Sequence, residues 1–341
     1  MTLTHVAQQA QVSVSTVSRY LRGQLRVNPD TAARIDKAVS DLGYPVAAPP
    51  PAPGPTSEPV RGGGPVIALV VPDLVNPFFA ALAEEAAAAA TADGASLVVG
   101  VTGQQALREA RFSDFVASSD AIDGLIYVGI HRRNPRLSRA VAEGLPVVVL
   151  DEEIASTSDV DTISVDNYGG AYQAVSYLAQ LGHRRIAHIA GPPELSTTSD
   201  RLRGYRDAMA HAGLDVDENL VLHGPYTEQF GASTFPYLAQ AERTPTAVFV
   251  GSDIVAVGML GAAELHGLRI PEDLSVVGCD GIRVGEWLRP KLTTLQQPVT
   301  DLVASALDLV RSRIEAPDRE RVDKVYPLQL VIRGSAVAPV G

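Results

Sequence analysis

The sequence predicts two folds in series: a small all-α head of helix-turn-helix type, then an α/β body of two doubly wound lobes. Three observations lead there. Two short amphipathic segments flank a tight turn near the N-terminus, a Pro/Gly-rich stretch interrupts the chain from Pro45 to Pro65, and beyond it apolar runs alternate with helical patterns. At 341 residues the chain is too long for one core and reads as two or three domains.

The head comprises residues 1–44. Thr4 is expected to cap a first helix carrying Val6, Ala7 and Ala10, and Ser13 a second carrying Val17 and Leu21. Asn28-Pro29 supplies an N-cap and a first-turn proline for a third helix. Ala33, Ile35, Ala38, Val39 and Leu42 form its apolar stripe, and Gly43 stops it. This third helix should cover the open face of the other two.

The linker, residues 45–65, carries Pro49-Pro50-Pro51, Pro53, Pro55, Pro59 and Gly62-Gly63-Gly64. Such a composition opposes a helix and favours an extended, polyproline-like chain.

The body, residues 66–341, opens with Val66-Ile67-Ala68-Leu69-Val70-Val71 and continues with six further apolar runs, the last at Ser275-Val276-Val277. Continuous apolar strands between helices imply parallel sheets covered on both faces, and their number exceeds one open sheet. Ligands in such folds sit beyond the carboxyl ends of strands, where Asp73, Asp151, Ser252 and Asp280 fall.

Charge is unevenly spread. Through Tyr44 there are five cations (Arg19, Arg22, Arg26, Arg34, Lys37) and three acids (Asp30, Asp36, Asp41), so the head is +2 and the remainder −13 in a chain of net charge −11. A basic head on an acidic body directs only the head toward a polyanion. No apolar run reaches the ~20 residues of a membrane helix, and Met1-Thr2-Leu3-Thr4-His5 lacks a signal-peptide pattern, so a cytoplasmic protein is expected. Cys279, the single cysteine, has no companion at metal-ligand spacing and reads as a small core residue; no metal or cofactor is expected.

In this order, Val12-Ser13-Val14-Ser15-Thr16-Val17-Ser18-Arg19, Val27-Asn28-Pro29-Asp30-Thr31, Leu42-Gly43-Tyr44, Val71-Pro72-Asp73-Leu74-Val75-Asn76-Pro77-Phe78-Phe79, Asp123-Gly124-Leu125-Ile126, Val165-Asp166-Asn167, Leu181-Gly182-His183-Arg184-Arg185-Ile186, Ser275-Val276-Val277-Gly278-Cys279-Asp280 and Leu292-Thr293-Thr294 resemble the LacI/GalR family. The resemblance spans nearly the whole chain. It implies a transcriptional regulator, a repressor acting as a homodimer on double-stranded operator DNA, whose body is a periplasmic-binding-protein-like (type I) effector domain.

In a helix-turn-helix the second helix enters the major groove with its N-terminal residues toward base edges. That places Val14 and Ser15 near bases, Arg19 within reach of a guanine or phosphate, and the hydroxyls of Thr16 and Ser18 near phosphates. Thr4 and Asn28 complete the candidate DNA-contacting set. The alternative for the hydroxyls is local capping, which is the reading for Ser13.

By family position the effector-binding residues would be Asp73, Asn76, Phe78 and Asp151 from a first lobe (about 66–162 and 295–323). Arg201, Tyr226, Ser252 and Asp280 would come from a second (about 163–294 and 324–338), with Gln297 near the crossover. Carboxylates, an amide and an arginine beside flat aromatic faces suit a polyhydroxylated ligand, a carbohydrate above all. Asp166 and Asp253 read as N-caps, Phe79 as core, and His183 and His188 as structural or exposed.

Three departures from the family stand out. Gln11 occupies a turn position where relatives carry glycine, at a cost of about 1 kcal/mol if left-handed. Asp151 is followed by Glu152 where many sugar-binding relatives have arginine, so a cleft-facing Glu152 would disfavour phosphorylated or carboxylated ligands. The linker lacks the leucine and the helix-forming residues of the family's hinge helix, so no hinge helix and little operator bending are expected.

Two other classes compete. A ligand receptor without a DNA role shares the body but not the head. An enzyme is opposed by the lack of a Gly-x-Ser-x-Gly elbow, a Walker loop or a His-Glu-x-x-His site.

Overall fold

A computed structural model describes residues 2–21, 27–43, 64–154, 160–241, 244–265 and 267–339. The chain divides into two compact units, Met1–Gly62 and Gly63–Gly341. All of the Pro45–Pro65 linker except its last two residues lies outside the described residues, and with it the expectation about a hinge helix.

The head contains α1 (Leu3–Ala10), α2 (Val14–Leu21) and α3 (Pro29–Asp41). Val6, Ala7, Ala10, Val17, Ile35 and Ala38 bury together, with Leu3, Val12, Tyr20 and Leu42 packed around them. Tyr20 Oη donates to Asp36 Oδ2 at 3.1 Å and ties α2 to α3. The first cap differs from expectation: Thr2, not Thr4, is the N-cap, its N–H donating to Nδ1 of His5 at 3.3 Å, while Thr4 stands exposed in the first turn. Two threonines two residues apart offer the same chemistry, and the reach of His5 back to Thr2 decides between them. Gln11 ends α1 in the left-handed region at φ 53°, the conformation glycine would take without strain.

The body begins with β1 (Val66–Val71), α4 (Pro77–Ala92), β2 (Ser96–Val101), α5 (Ala106–Ala117), β3 (Gly124–Tyr127), α6 (Pro135–Ala142), β4 (Val147–Leu150) and β5 (Asp161–Val165). The chain then crosses to a second lobe of α7 (Asn167–Gln180), β6 (Ile186–Ala190), α8 (Ser196–His211), β7 (Val221–His223), α9 (Glu228–Gln240), β8 (Ala247–Val250), α10 (Asp253–Leu265), β9 (Ser275–Asp280) and β10 (Thr293–Gln296). It returns with α11 (Val299–Glu315) and β11 (Asp323–Tyr326), and crosses once more to β12 (Gln329–Val331).

The first sheet has the order β11-β5-β4-β3-β1-β2 and the second β12-β10-β9-β8-β6-β7. Every pairing is parallel except β10 with β12. Helices cover both faces, so strands such as Ile67–Val71 and Val147–Leu150 are apolar throughout and buried. The crossings fall two to four residues later than expected. Boundaries at 162 and 294 would cut through β5 and β10, and one at 323 would assign β11 to the wrong sheet. A strand keeps its ladder to its end, so the chain changes lobes where pairing stops.

Asp161 anchors the far edge of the first lobe. Fully buried, it accepts from Arg313 Nη2 at 2.8 Å and Arg319 Nη2 at 2.6 Å, and these bonds hold its carboxyl below the usual range despite burial.

Candidate functional site

The cleft is built where the strands of both lobes end. After β1, Asn76 caps α4 by accepting from the N–H of Phe78 at 3.1 Å, which sets Phe78 and Phe79 edge to face at 5.2 Å. After β4 and at the end of β9, Asp151 and Asp280 have φ +78° and +127°. Non-glycine residues held there carry backbone strain, a feature concentrated at functional sites.

Of the nine effector candidates, Asn76, Phe78, Asp151, Arg201, Tyr226, Ser252, Asp280 and Gln297 all border one cavity, together with Phe79, Ile130, Glu152, Leu195 and Thr197. Asp73 does not. Its Oδ1 accepts from the N–H groups of Val75 and Asn76 and its Oδ2 from Gln104 Nε2 at 2.6 Å, so the turn consumes the carboxylate. Phe79, expected in the core, borders the cavity instead, because α4 presents consecutive ring faces at its first turn.

The second-lobe wall is densely bonded. Asp280 accepts from Ser252 Oγ at 2.6 Å, Gln297 Nε2 at 3.0 Å and the Asp253 N–H at 3.3 Å, with Arg201 Nη2 at 4.0 Å. Arg201 donates through Nε to Asn167 Oδ1 at 2.8 Å and through Nη1 to the Gly251 carbonyl. Tyr226 Oη pairs with Thr198 Oγ1 at 3.1 Å. Asp253 is not the N-cap expected. It is the first residue of α10, fully buried, accepting from the N–H groups of Gly281 and Ile282 and from Thr294 Oγ1, and it thereby fixes the loop that carries Asp280. Asp166 does cap α7, at 2.7 Å from the Gly169 N–H.

Asp151 contrasts with these, since its carboxylate has no hydrogen-bond partner among the described residues. Burial first, then the charge of Glu152, pushes it well above the usual carboxylate range against the pull of Arg201. Asp280 is raised as well, mainly by burial, with Arg201 opposing. One buried arginine thus faces Asp151, Glu152 and Asp280, and the cleft is acidic. The cavity is about 40 Å³, close to the volume of a single water and far below the ~300 Å³ of small-ligand pockets. At this cavity the two lobes are in contact.

His188 and Cys279 lie in the second core rather than the cleft. His188 is fully buried, stacked on Phe249 at 4.9 Å and Tyr205 at 5.0 Å, and burial pushes it down to about 4. Burial pushes the Cys279 thiol up. No group of acids, histidines and cysteine suited to a metal ion occurs among the described residues, and no described helix is long and apolar enough to cross a membrane.

On the head, Val14 and Ser15 at the start of α2 are exposed, and Thr16 and Ser18 are half-buried. Ser13 Oγ accepts from the Thr16 N–H at 3.1 Å and lies 2.8 Å from Ser15 Oγ and 2.7 Å from Thr16 Oγ1, so the serine caps while its neighbours share its hydroxyl. Asn28 caps α3 through Oδ1, 2.8 Å from the Thr31 N–H. Arg19 belongs to α2, and its side chain lies outside the described residues.

A helix-turn-helix head joined to a two-lobed cleft defines a ligand-responsive DNA-binding regulator. Residues 2–45 match the description of bacterial regulatory proteins of the lacI family, and residues 175–336 that of a periplasmic binding protein-like domain. The repressor CytR of Escherichia coli K12 is 33% identical over 338 residues, 99% of this chain and 96% of its own. A transcriptional regulator CelR in complex with cellobiose superposes with TM-score 0.73 at 31% identity, over 98% of this chain and 99% of that one. A lacI-family regulator of Enterococcus faecium with bound ribose gives 0.71 at 26% identity, over 80% and 99%. The chain belongs to the lacI family of transcriptional regulators.

Proposed function

We propose that the protein is a cytoplasmic homodimeric repressor, and that its effector is a neutral polyhydroxylated molecule: a sugar, polyol, nucleoside or amino-sugar. The observation that carries this is the composition of the cleft, where the Asp151 carboxylate, which accepts no hydrogen bond among the described residues, and the anchored Asp280 and Arg201 border one cavity with the rings of Phe78, Phe79 and Tyr226. Hydroxyl groups donate to the carboxylates, Arg201 donates to ligand oxygens, and the rings pack on the apolar face of a sugar. A phosphate or carboxylate would meet three acids against one arginine. Cellobiose and ribose, the neutral sugars bound in the two related structures, agree with this class.

On the head, Val14, Ser15, Thr16, Ser18 and Arg19 of α2 are assigned to operator contact, with Thr4 and Asn28 at its margins. A single short helix reads few base pairs, and a two-fold dimer doubles the contact on a palindrome. Exposed Val98, Val99 and Val101 on the edge strand β2 offer such a dimer an apolar surface.

A thermal-shift screen of neutral sugars, polyols and nucleosides against their phosphorylated counterparts tests the reading, since binding to the native state raises the melting temperature. Neutral members are expected to stabilise. Stabilisation by phosphorylated members alone would overturn it.

A further inference from the structure

We infer that Glu152 is a latch across the cleft, closing the lobes in the absence of effector. The inference rests on the cleft being the effector site and adds a residue to it that family position does not assign.

Glu152 belongs to the first lobe, two residues past β4, and its side chain enters the first turn of α8 in the second. Its Oε2 accepts from the Ser196 N–H at 2.9 Å, Ser196 Oγ at 2.6 Å and the Thr197 N–H at 3.4 Å, and its Oε1 from Thr197 Oγ1. The Glu153 N–H adds a fifth bond between lobes, to Ser196 Oγ at 3.1 Å. Glu152 is 6% exposed, so the set is shielded from water.

Among the described residues the helix has no other cap. Its N-cap position is Leu195, which offers no side-chain acceptor, and its first turn contains no acid. A helix start leaves N–H groups without intrahelical partners and carries partial positive charge, so a carboxylate there makes charge-assisted bonds. Among the described residues it is Glu152, from the opposite lobe, that supplies them. Parting the lobes strips α8 of its cap and breaks these charge-assisted bonds, and their gain over the cost of burying the carboxylate is what would favour closure. The small cavity fits lobes drawn together by these bonds. Because the latch already places a carboxylate at α8, it also repels an incoming anion.

Single-molecule fluorescence transfer between dyes on Arg132→Cys and Gln229→Cys, both exposed and one on each lobe, measures closure in the full chain with no effector added. Cys279 is buried and does not compete for the dye. Wild type is expected in one high-transfer population. Glu152→Ala should lower the closed-to-open ratio by at least about tenfold, Glu152→Gln by less, and Thr197→Val by less again, with Thr197→Val adding little in the Glu152→Gln background. A wild type that is mainly open overturns the inference. So do folded Glu152→Ala and Glu152→Gln proteins that retain the wild-type distribution; should Glu152→Ala fail to fold, the isosteric glutamine variant decides. No effector enters the measurement, so an error about effector class leaves its outcome unchanged.

Discussion

The two walls of the cleft are built differently. On the second lobe, Asp280, Ser252, Gln297, Arg201 and Asn167 bond to one another, and Asp253 behind them fixes the loop bearing Asp280. On the first lobe the polar groups serve other ends: Asp73 holds its own turn, Asn76 caps α4, Glu152 reaches across to α8, and Asp151 has no hydrogen-bond partner among the described residues. The second wall is therefore preorganised, while the first keeps an unspent acceptor for the ligand. Substitutions on the second should damage fold and binding together, and on the first should separate them.

The largest effect is expected from Asp280→Ala. It leaves Ser252, Gln297 and the Asp253 N–H without their shared buried acceptor and Arg201 without its ion-pair partner, at a cost of about 3 kcal/mol or more. Scanning calorimetry should show a marked fall in melting temperature, and titration no measurable binding of an effector found by the screen. A variant that melts like wild type would show that this wall is less tightly coupled than its bonds imply.

Acid should act on the second lobe through His188. His188, in the second, is held near 4, below its ordinary 6.5. Between those values the unfolded chain takes up a proton that the native ring refuses. Its contribution is thus complete above 6.5 and is lost as pH falls toward 4, by about 3 kcal/mol. His183, also lowered by burial, acts in the same direction. In the first lobe Glu109 is raised, by burial against the pull of His131, so it favours the folded state as pH falls. Asp280 and Asp253 of the same lobe are raised by burial and act in the opposite direction, so the share of His188 is read as a difference between wild type and His188→Asn. Hydrogen exchange around β6 and β8, between about pH 7 and about pH 5, should show less loss of protection in His188→Asn than in wild type. The same pH dependence in both proteins would remove the role given to the ring.

Much of the body was legible because burial on both sheet faces writes itself as unbroken apolar runs, and the strand ends then locate the cleft. The misses share a cause: one residue type has two uses that only tertiary neighbours separate. Asp253 precedes helical residues as a cap would, yet it faces the β9 loop. Asp73 stands at a strand end as a ligand residue would, yet Gln104, 31 positions away, takes up its carboxylate. Glu152 was recognised as unusual, but its partner lies 44 residues further on, across the cleft. Gln11 was readable because a left-handed turn is a local property.

Asp151→Asn should separate folding from binding. Removing a charge that no bond compensates is expected to leave the melting temperature unchanged or raise it slightly. Losing the strongest free acceptor on this wall should weaken effector affinity by about 1 to 3 kcal/mol. Parallel calorimetry and ligand titration check both. A lower melting temperature with unchanged affinity would reverse the role assigned to Asp151.

The smallest effect on binding is expected at Asp73, where family position and geometry disagree. Family position makes it a ligand residue, so its truncation should cost affinity as that of Asp151 does. In the structure its oxygens are committed to Val75, Asn76 and Gln104, and it lies outside the cavity. Asp73→Ala should therefore destabilise the turn before α4 by about 1 kcal/mol, typical of a lost local cap, while effector affinity changes less than about threefold. Asp73→Asn retains one acceptor oxygen and should recover most of the stability. An affinity loss for Asp73→Ala as large as that for Asp151→Asn, with the melting temperature intact, would mean that the turn opens on binding and releases the carboxylate to the ligand. The first wall would then have two free acceptors rather than one.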